Sequence, residues 1–281
     1  MAYDGYRFLR IERDGRRVTA TVDNPPINLI TLDLFGELAR LSQELADDPQ
    51  PSVFVLKSAN PDFFLAHFDV AAILAFPIDQ PATRPAAGAN AYHAMCERFR
   101  TMDKATIAQI EGRVGGGGSE LSMSFDMRFG VLGKTVINQM EVPLGILPGG
   151  TGTQRMPRLI GRHRALEVIL GGVDLDAATA ERWGYLNRAL PANEIGPYVD
   201  ALAARIASFP REAVRLAKQS VNNADQPLEE GLVDESFLFQ QSIRTEGARR
   251  NMARFLQIGG QTRDGELRVG ELNAELGSPP P

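Results

Sequence analysis

The sequence predicts an α/β protein in which helices cross back onto a shared sheet. Three observations carry this. Two alternating segments flank Asp14-Gly15, the run SVFVLK at residues 52–57 follows a leucine-patterned segment, and the string GRVGGGGSELS at 112–122 lies between the strand-like TIAQI and a helix-like segment.

Residues 6–12 and 16–23 alternate apolar and polar side chains about Asp14-Gly15, the signal of a β-hairpin. After the turn NPPIN, Leu34, Leu38, Leu41 and Leu45 recur at helical spacing until Asp47, Asp48 and Pro49 end the pattern. SVFVLK is then a compact buried strand, which completes a β-helix-β crossover. A second unit follows, with a helix over 90–102, a strand over 106–110, a helix beginning at 120–125 and a strand in MRFGVL. The glycines therefore sit between a strand and a helix. Beyond Gly145 the pattern turns helical, over 161–171, 176–183, 194–208, 210–224, 228–243 and 246–258, with 185–190 as the longest intervening strand. The Pro-spaced segment 77–85 reads as a long exposed loop, and GELRVGELNAELGSPPP as a partly disordered tail.

At 281 residues the chain can form one large domain, or a main domain with an appendage. Its 43% hydrophobic and 23% charged content fits a soluble protein, and apolar runs such as 71–76 are far too short to cross a membrane. The first residues, MAYDGYRFLRIERDGRR, hold no uninterrupted apolar stretch, so a cytoplasmic location is expected. Cys96 is the only cysteine, which excludes an intrachain disulfide and a thiolate-rich metal site. His67, His93 and His163 are not at metal-ligand spacing, and no metal is expected. A net charge of −5 argues against general nucleic-acid binding, while a local basic patch for one anionic ligand stays open.

A GGGGS run most often joins domains, and an acid just after it most often serves a helix dipole. Here the run stands between a core strand and a helix, and a second glutamate opens another Gly/Pro-rich turn in INQMEVPLGILPGGTGTQR. Glycines at such a turn let a ligand approach the main chain, so that N–H dipoles face a developing negative oxygen. A thioester or similar carbonyl held there becomes acidic at its α-carbon and electrophilic at its β-carbon, because the enolate is stabilised. Two nearby carboxyl groups can then accept and donate protons if their environments separate their pKa values.

The strings FFLAHFDV, VGGGGSELSMSFDMRFG, MEVPLGILPGGTGTQRMPRLIG and AATAERWGYLNRALP, in that order and spacing, resemble the crotonase (enoyl-CoA hydratase/isomerase) superfamily over roughly residues 5–257. The resemblance implies a crotonase-like spiral of repeated ββα units over 1–200 holding an acyl-CoA site. It also implies a C-terminal helical trimerisation region over 201–260, followed by the tail at 261–281. The implied assembly is a homotrimer, or a hexamer of paired trimers. The implied substrate is an acyl-CoA thioester, with no further cofactor, metal, flavin or nicotinamide, and neither nucleic acid nor membrane as partner. Carried over position by position, the oxyanion donors are the N–H groups of Phe68 and Gly117, and the hydratase glutamates are Glu120 and Glu141. The substrate-binding positions are Ala66, His67, Asp69, Val70, Gly116 and Leu144. In that mechanism the glutamates hold a water between them, one activating it for attack at the β-carbon and the other, Glu141, delivering a proton to the α-carbon.

The sequence departs from the family pattern at several positions. In the A-G-x-D motif, here Ala66-His67-Phe68-Asp69, His67 stands for the usual glycine and Phe68 for a small residue. His67 either points away and fills space, or reshapes the acyl or pantetheine channel, or joins proton transfer. Met140 replaces a frequent proline, Thr151 a glycine, and Ala71 a lysine that often serves the CoA phosphates. The loop 77–90 and the stripe Tyr92, Met95 and Phe99 occupy the acyl-pocket region of relatives, although core packing explains such a stripe equally well. Asp69, Asp126, Gln154 and Arg155 match positions that are mostly structural in the family. Retention of both glutamates favours hydration of a 2-enoyl-CoA. A crotonase-type isomerase, a C–C hydrolase or lyase, and a noncatalytic acyl-CoA-binding member are the alternatives.

Overall fold

Strand β3 (Val53–Ser58) organises the chain because its two faces feed two cores. Phe54 and Leu56 join the larger core and Val53 and Val55 a smaller one, as alternation along a strand requires. Burial on both sides explains its unbroken apolar run. In the computed structural model, which describes residues 3–77, 90–259, 261–262 and 269–277, β3 lies inside a six-stranded sheet. The order is β1 (Leu9–Asp14), β2 (Arg17–Val22), β3, β5 (Ala105–Ile110), β7 (Met127–Val131) and β10 (Arg188–Leu190). β1 and β2 form the expected antiparallel hairpin about Gly15, which adopts φ 55°. The remaining neighbours are parallel.

Parallel neighbours need crossovers. Helix α1 (Leu32–Asp47) makes the first one, buries Leu34, Leu38, Leu41 and Leu45, and is capped where Thr31 Oγ1 accepts the Leu34 N–H at 3.2 Å. Past the short helix α2 (Val70–Leu74), helix α3 (Ala91–Thr101) buries Met95, Cys96 and Phe99 against the same core. Of the stripe Tyr92, Met95 and Phe99, the last two are thus core residues.

A second sheet, ordered β4 (Phe63–Leu65), β6 (Arg113–Gly115), β8 (Val136–Asn138) and β9 (Leu175–Asp176), has no counterpart in the sequence-based expectation. Its strands are two or three residues long, too short for an alternating pattern to register. β4, β6 and β8 are parallel and β9 antiparallel.

The C-terminal helices form as expected to within a few residues. Helix Ile195–Ser208 spans the boundary expected at residue 200 and packs Ile195, Val199 and Ala203 on the second face of the six-stranded sheet. The expected tail is in part a helix, Val269–Gly277, whose Leu272 is fully buried. Apart from Pro77, the Pro-spaced segment 77–85 lies outside the described residues, as do residues 86–89 of the expected acyl-pocket loop. No helix of the described residues is long and apolar enough to cross a membrane.

Candidate active site

Strand β6 ends at Gly115, and helix α4 (Gly116–Ser122) begins inside the glycine run, four residues before the expected start at Glu120. Glycine in a helix interior costs about 1 kcal/mol relative to alanine, so propensity pointed the other way. Packing overrides it, because residues 65–68 pass directly over the run. A Cβ on Gly118 would lie 2.5 Å from the Leu65 carbonyl oxygen, and one on Gly115 2.8 Å from that of Ala66. On Gly117 it would lie 3.2 Å from both Phe68 Cβ and Tyr92 Oη, and 3.4 Å from the Phe68 nitrogen. Gly116 adopts φ 44°, a conformation that favours glycine.

The passing segment is pinned by Ile30. The Ile30 N–H donates to His67 O at 2.9 Å and the Asp69 N–H to Ile30 O at 3.0 Å, so the intervening Phe68 N–H faces away from Ile30. The Gly117 N–H belongs to the first helical turn, whose donors have no acceptor within the helix. The Phe68 nitrogen thus lies against Gly117, 3.4 Å from where a Gly117 Cβ would sit.

Glu120 is 4% exposed and Glu141 7% exposed. Glu120 Oε1 accepts the N–H groups of Gly150 at 2.8 Å and Gly152 at 2.7 Å. Burial raises its pKa to about 7, helped by the charge of Glu141 and opposed by those two hydrogen bonds. Glu141 begins the turn Val142–Leu144, and burial raises its pKa as well. Its Oε1 lies 3.0 Å from where a Gly116 Cβ would sit, and its buried Oε2 has no hydrogen-bond partner among the described residues.

Both glutamates line a cavity of about 550 Å³. Its walls include Leu32, Phe35, Phe68, Ile73, Tyr92 and Leu147. Phe35 and Tyr92 stack at 5.6 Å between centroids, and Phe68 stands edge-on to Tyr92 at 5.9 Å. Of the expected site residues, His67, Phe68, Val70, Gly117, Glu120, Glu141 and Leu144 reach this cavity. Ala66, Asp69 and Gly116 are not among its lining residues: Ala66 is 6% exposed and packs against Gly115, and Asp69 caps α2 by accepting the Ala71 N–H at 2.9 Å. Gly150 and Phe35 line the cavity without having been expected there, and Gly152 joins Gly150 in holding Glu120. Nothing local in the sequence marks their roles, which depend on contacts across more than 25 residues.

Two other expectations meet specific contacts. Asp126 accepts the Thr106 N–H at 2.8 Å and pairs with Lys218 at 2.9 Å, and Arg155 pairs with Glu97; neither residue lines this cavity. A larger cavity of about 1080 Å³ lies beneath the C-terminal helices around the Asp126–Lys218 pair. It brings no two carboxyl groups against main-chain donors, so the smaller cavity is the candidate site.

Fold and site together define an α/β protein in which two buried carboxyl groups face an apolar pocket floored by the start of a glycine helix. Residues 17–260 match the family model described as enoyl-CoA hydratase/isomerase, and the chain belongs to that family. The "Probable enoyl-CoA hydratase echA8" of Mycobacterium tuberculosis (strain CDC 1551 / Oshkosh) is 31% identical over 254 residues, which cover 90% of this chain and 96% of that one. The short-chain-enoyl-CoA hydratase of Clostridium acetobutylicum is 28% identical over 249 residues, covering 88% and 94% of the two chains. The crystal structure of enoyl-CoA hydratase from Bacillus anthracis superposes with a TM-score of 0.82 at 25% identity, covering 90% of this chain and 97% of that one.

Proposed function

We propose that the protein is an enoyl-CoA hydratase, adding water reversibly across the double bond of a 2-enoyl-CoA. The observation that carries this is the arrival of Glu120 and Glu141 at one cavity that Phe68 and Gly117 also line. The thioester oxygen sits between the Phe68 and Gly117 N–H groups. Glu120, its Oε1 held by Gly150 and Gly152, takes a proton from water as the water oxygen bonds to the β-carbon. The displaced π electrons move to the thioester oxygen as an enolate, which the N–H dipoles stabilise. Glu141, whose proton is favoured by burial, protonates the α-carbon. A carboxyl group near pKa 7 suits this cycle because it gains and loses a proton readily near neutrality.

The assembly that accompanies this activity is a homotrimer, or trimers paired into a hexamer. Leu232, Val233, Phe237 and Phe239 of helix Leu228–Ser242 are all more than half exposed, an apolar face of the kind covered in oligomers. Light scattering on the purified protein checks it.

The function is tested by the loss of enoyl absorbance with crotonyl-CoA and identification of the 3-hydroxyacyl product. Glu120→Gln and Glu141→Gln should each lower kcat by about 100-fold or more. Full turnover in either variant refutes the assignment, and a product other than the 3-hydroxyacyl thioester refutes hydration.

A further inference from the structure

Each of the two N–H groups offered as oxyanion donors belongs to a residue whose own carbonyl is held by a side chain. His67 Nδ1 lies 2.8 Å from Phe68 O, and Tyr92 Oη donates to Gly117 O at 2.6 Å. We propose that His67 and Tyr92 are paired positioning residues that clamp the main chain of Phe68 and Gly117 and so aim the oxyanion donors. This deepens the hydratase reading and rests on it for the oxyanion donors and the reacting ligand.

On the His67 side, a carbonyl oxygen can only accept, so Nδ1 carries the hydrogen. The bond closes a ring through the backbone of His67 and Phe68. That ring includes the Cα–C bond of His67, whose rotation sets the direction of the Phe68 N–H. With glycine in this place, as the family pattern has it, no side chain could restrict that rotation. Glycine at 116 leaves room for this side chain, since a Gly116 Cβ would lie 3.1 Å from His67 Cβ.

On the Gly117 side, the clamp comes from a different element. Tyr92 lies on α3, and its ring is held by Phe35 and Phe68. Burial raises its pKa well above the ordinary tyrosine value, so the phenol keeps the proton it donates. Phe68 packs edge-on against the same ring, which couples the two clamps.

Misplacing a catalytic dipole by about 1 Å costs about 100-fold in rate. Tyr92→Phe keeps the ring stack and deletes one hydrogen bond, and should lower kcat on crotonyl-CoA about 10- to 100-fold with KM changed by less than about threefold. His67→Leu should do the same. His67→Asn places an amide N–H the same number of bonds from the main chain, and should restore most of the loss. A second readout uses acetoacetyl-CoA, whose enolate absorbs in the near ultraviolet. The wild-type protein should show the enolate band near neutral pH, Tyr92→Phe and His67→Leu should need about one pH unit more, consistent with about a tenfold weaker hold on the oxyanion, and His67→Asn should match wild type. Circular dichroism confirms that each variant is folded. Should His67→Leu fail to fold, Tyr92→Phe and His67→Asn still decide. The inference is overturned if Tyr92→Phe keeps kcat and the band, if His67→Asn is as impaired as His67→Leu, or if the wild-type protein shows no enolate band. Should the band behave as expected while crotonyl-CoA is not hydrated, the hydratase reading fails and the clamps stand.

Discussion

Glu120 accepts the Gly152 N–H at 2.7 Å through the same oxygen that takes the Gly150 N–H. The contact is so close that a Cβ on Gly152 would lie 2.9 Å from that oxygen, 2.8 Å from Pro148 Cβ and 3.0 Å from Gln139 Nε2. Gly152→Ala should therefore displace the carboxylate and lower kcat about 10- to 100-fold, with a stability loss of about 1–3 kcal/mol. Steady-state kinetics and thermal denaturation read the two effects separately.

The pH dependence follows from the same carboxyl group. Because its pKa is raised to about 7 from 4.5, its ionised form is disfavoured in the folded protein. The resulting stability penalty is absent below the unfolded value of 4.5 and fully present above about pH 7. Glu120→Gln should thus be more stable than wild type at pH 8, by about 1–3 kcal/mol, with the difference vanishing near pH 4. Activity should move the opposite way, kcat/KM of the wild type rising with pH through about 7 as Glu120, the proposed base, ionises. Melting curves and rate profiles over pH 4–9 on the two proteins check both signs.

Thr151 adopts φ 117°, a left-handed backbone conformation that is costly for a β-branched residue. It sits between the two glycines that hold Glu120, where the family pattern has glycine. Thr151→Gly should stabilise the fold by about 1 kcal/mol. An unchanged or lowered melting temperature would show that the hydroxyl's contact with Glu120 O, at 3.3 Å, outweighs the strain.

Phe68 contributes two separable things, a main-chain N–H and a ring on the cavity wall. Phe68→Ala keeps the first and removes the second. It should hold kcat within about tenfold while shifting kcat/KM about 10-fold or more toward longer acyl groups, since each added methylene is worth about 1–3 kcal/mol in a matched pocket. A series of straight-chain enoyl-CoAs measures the shift.

The elements legible in the sequence were those with enough residues to show a period. The leucines of α1 and the two-faced run of β3 are of this kind, and both form as expected. The short strands β4, β6, β8 and β9 escape because two or three residues show no alternation. Helix Gly152–Ile160 escapes because it starts on a glycine and contains Pro157. Of the site, the glutamates and glycines could be placed by their order along the chain. The ring contacts of Tyr92 and the hydrogen bond of His67 could not, because they depend on side-chain rotamers and on residues far apart in sequence.

Helix α4 opens with three consecutive glycines and would not exist as an isolated peptide. It takes shape only when Leu65, Ala66 and Phe68 close over it, so the pocket floor is assembled by the surrounding core and not by its own residues. Recovery of turnover during refolding should accordingly trail recovery of bulk secondary structure, which makes enzymatic activity a clock for the final stage of core closure.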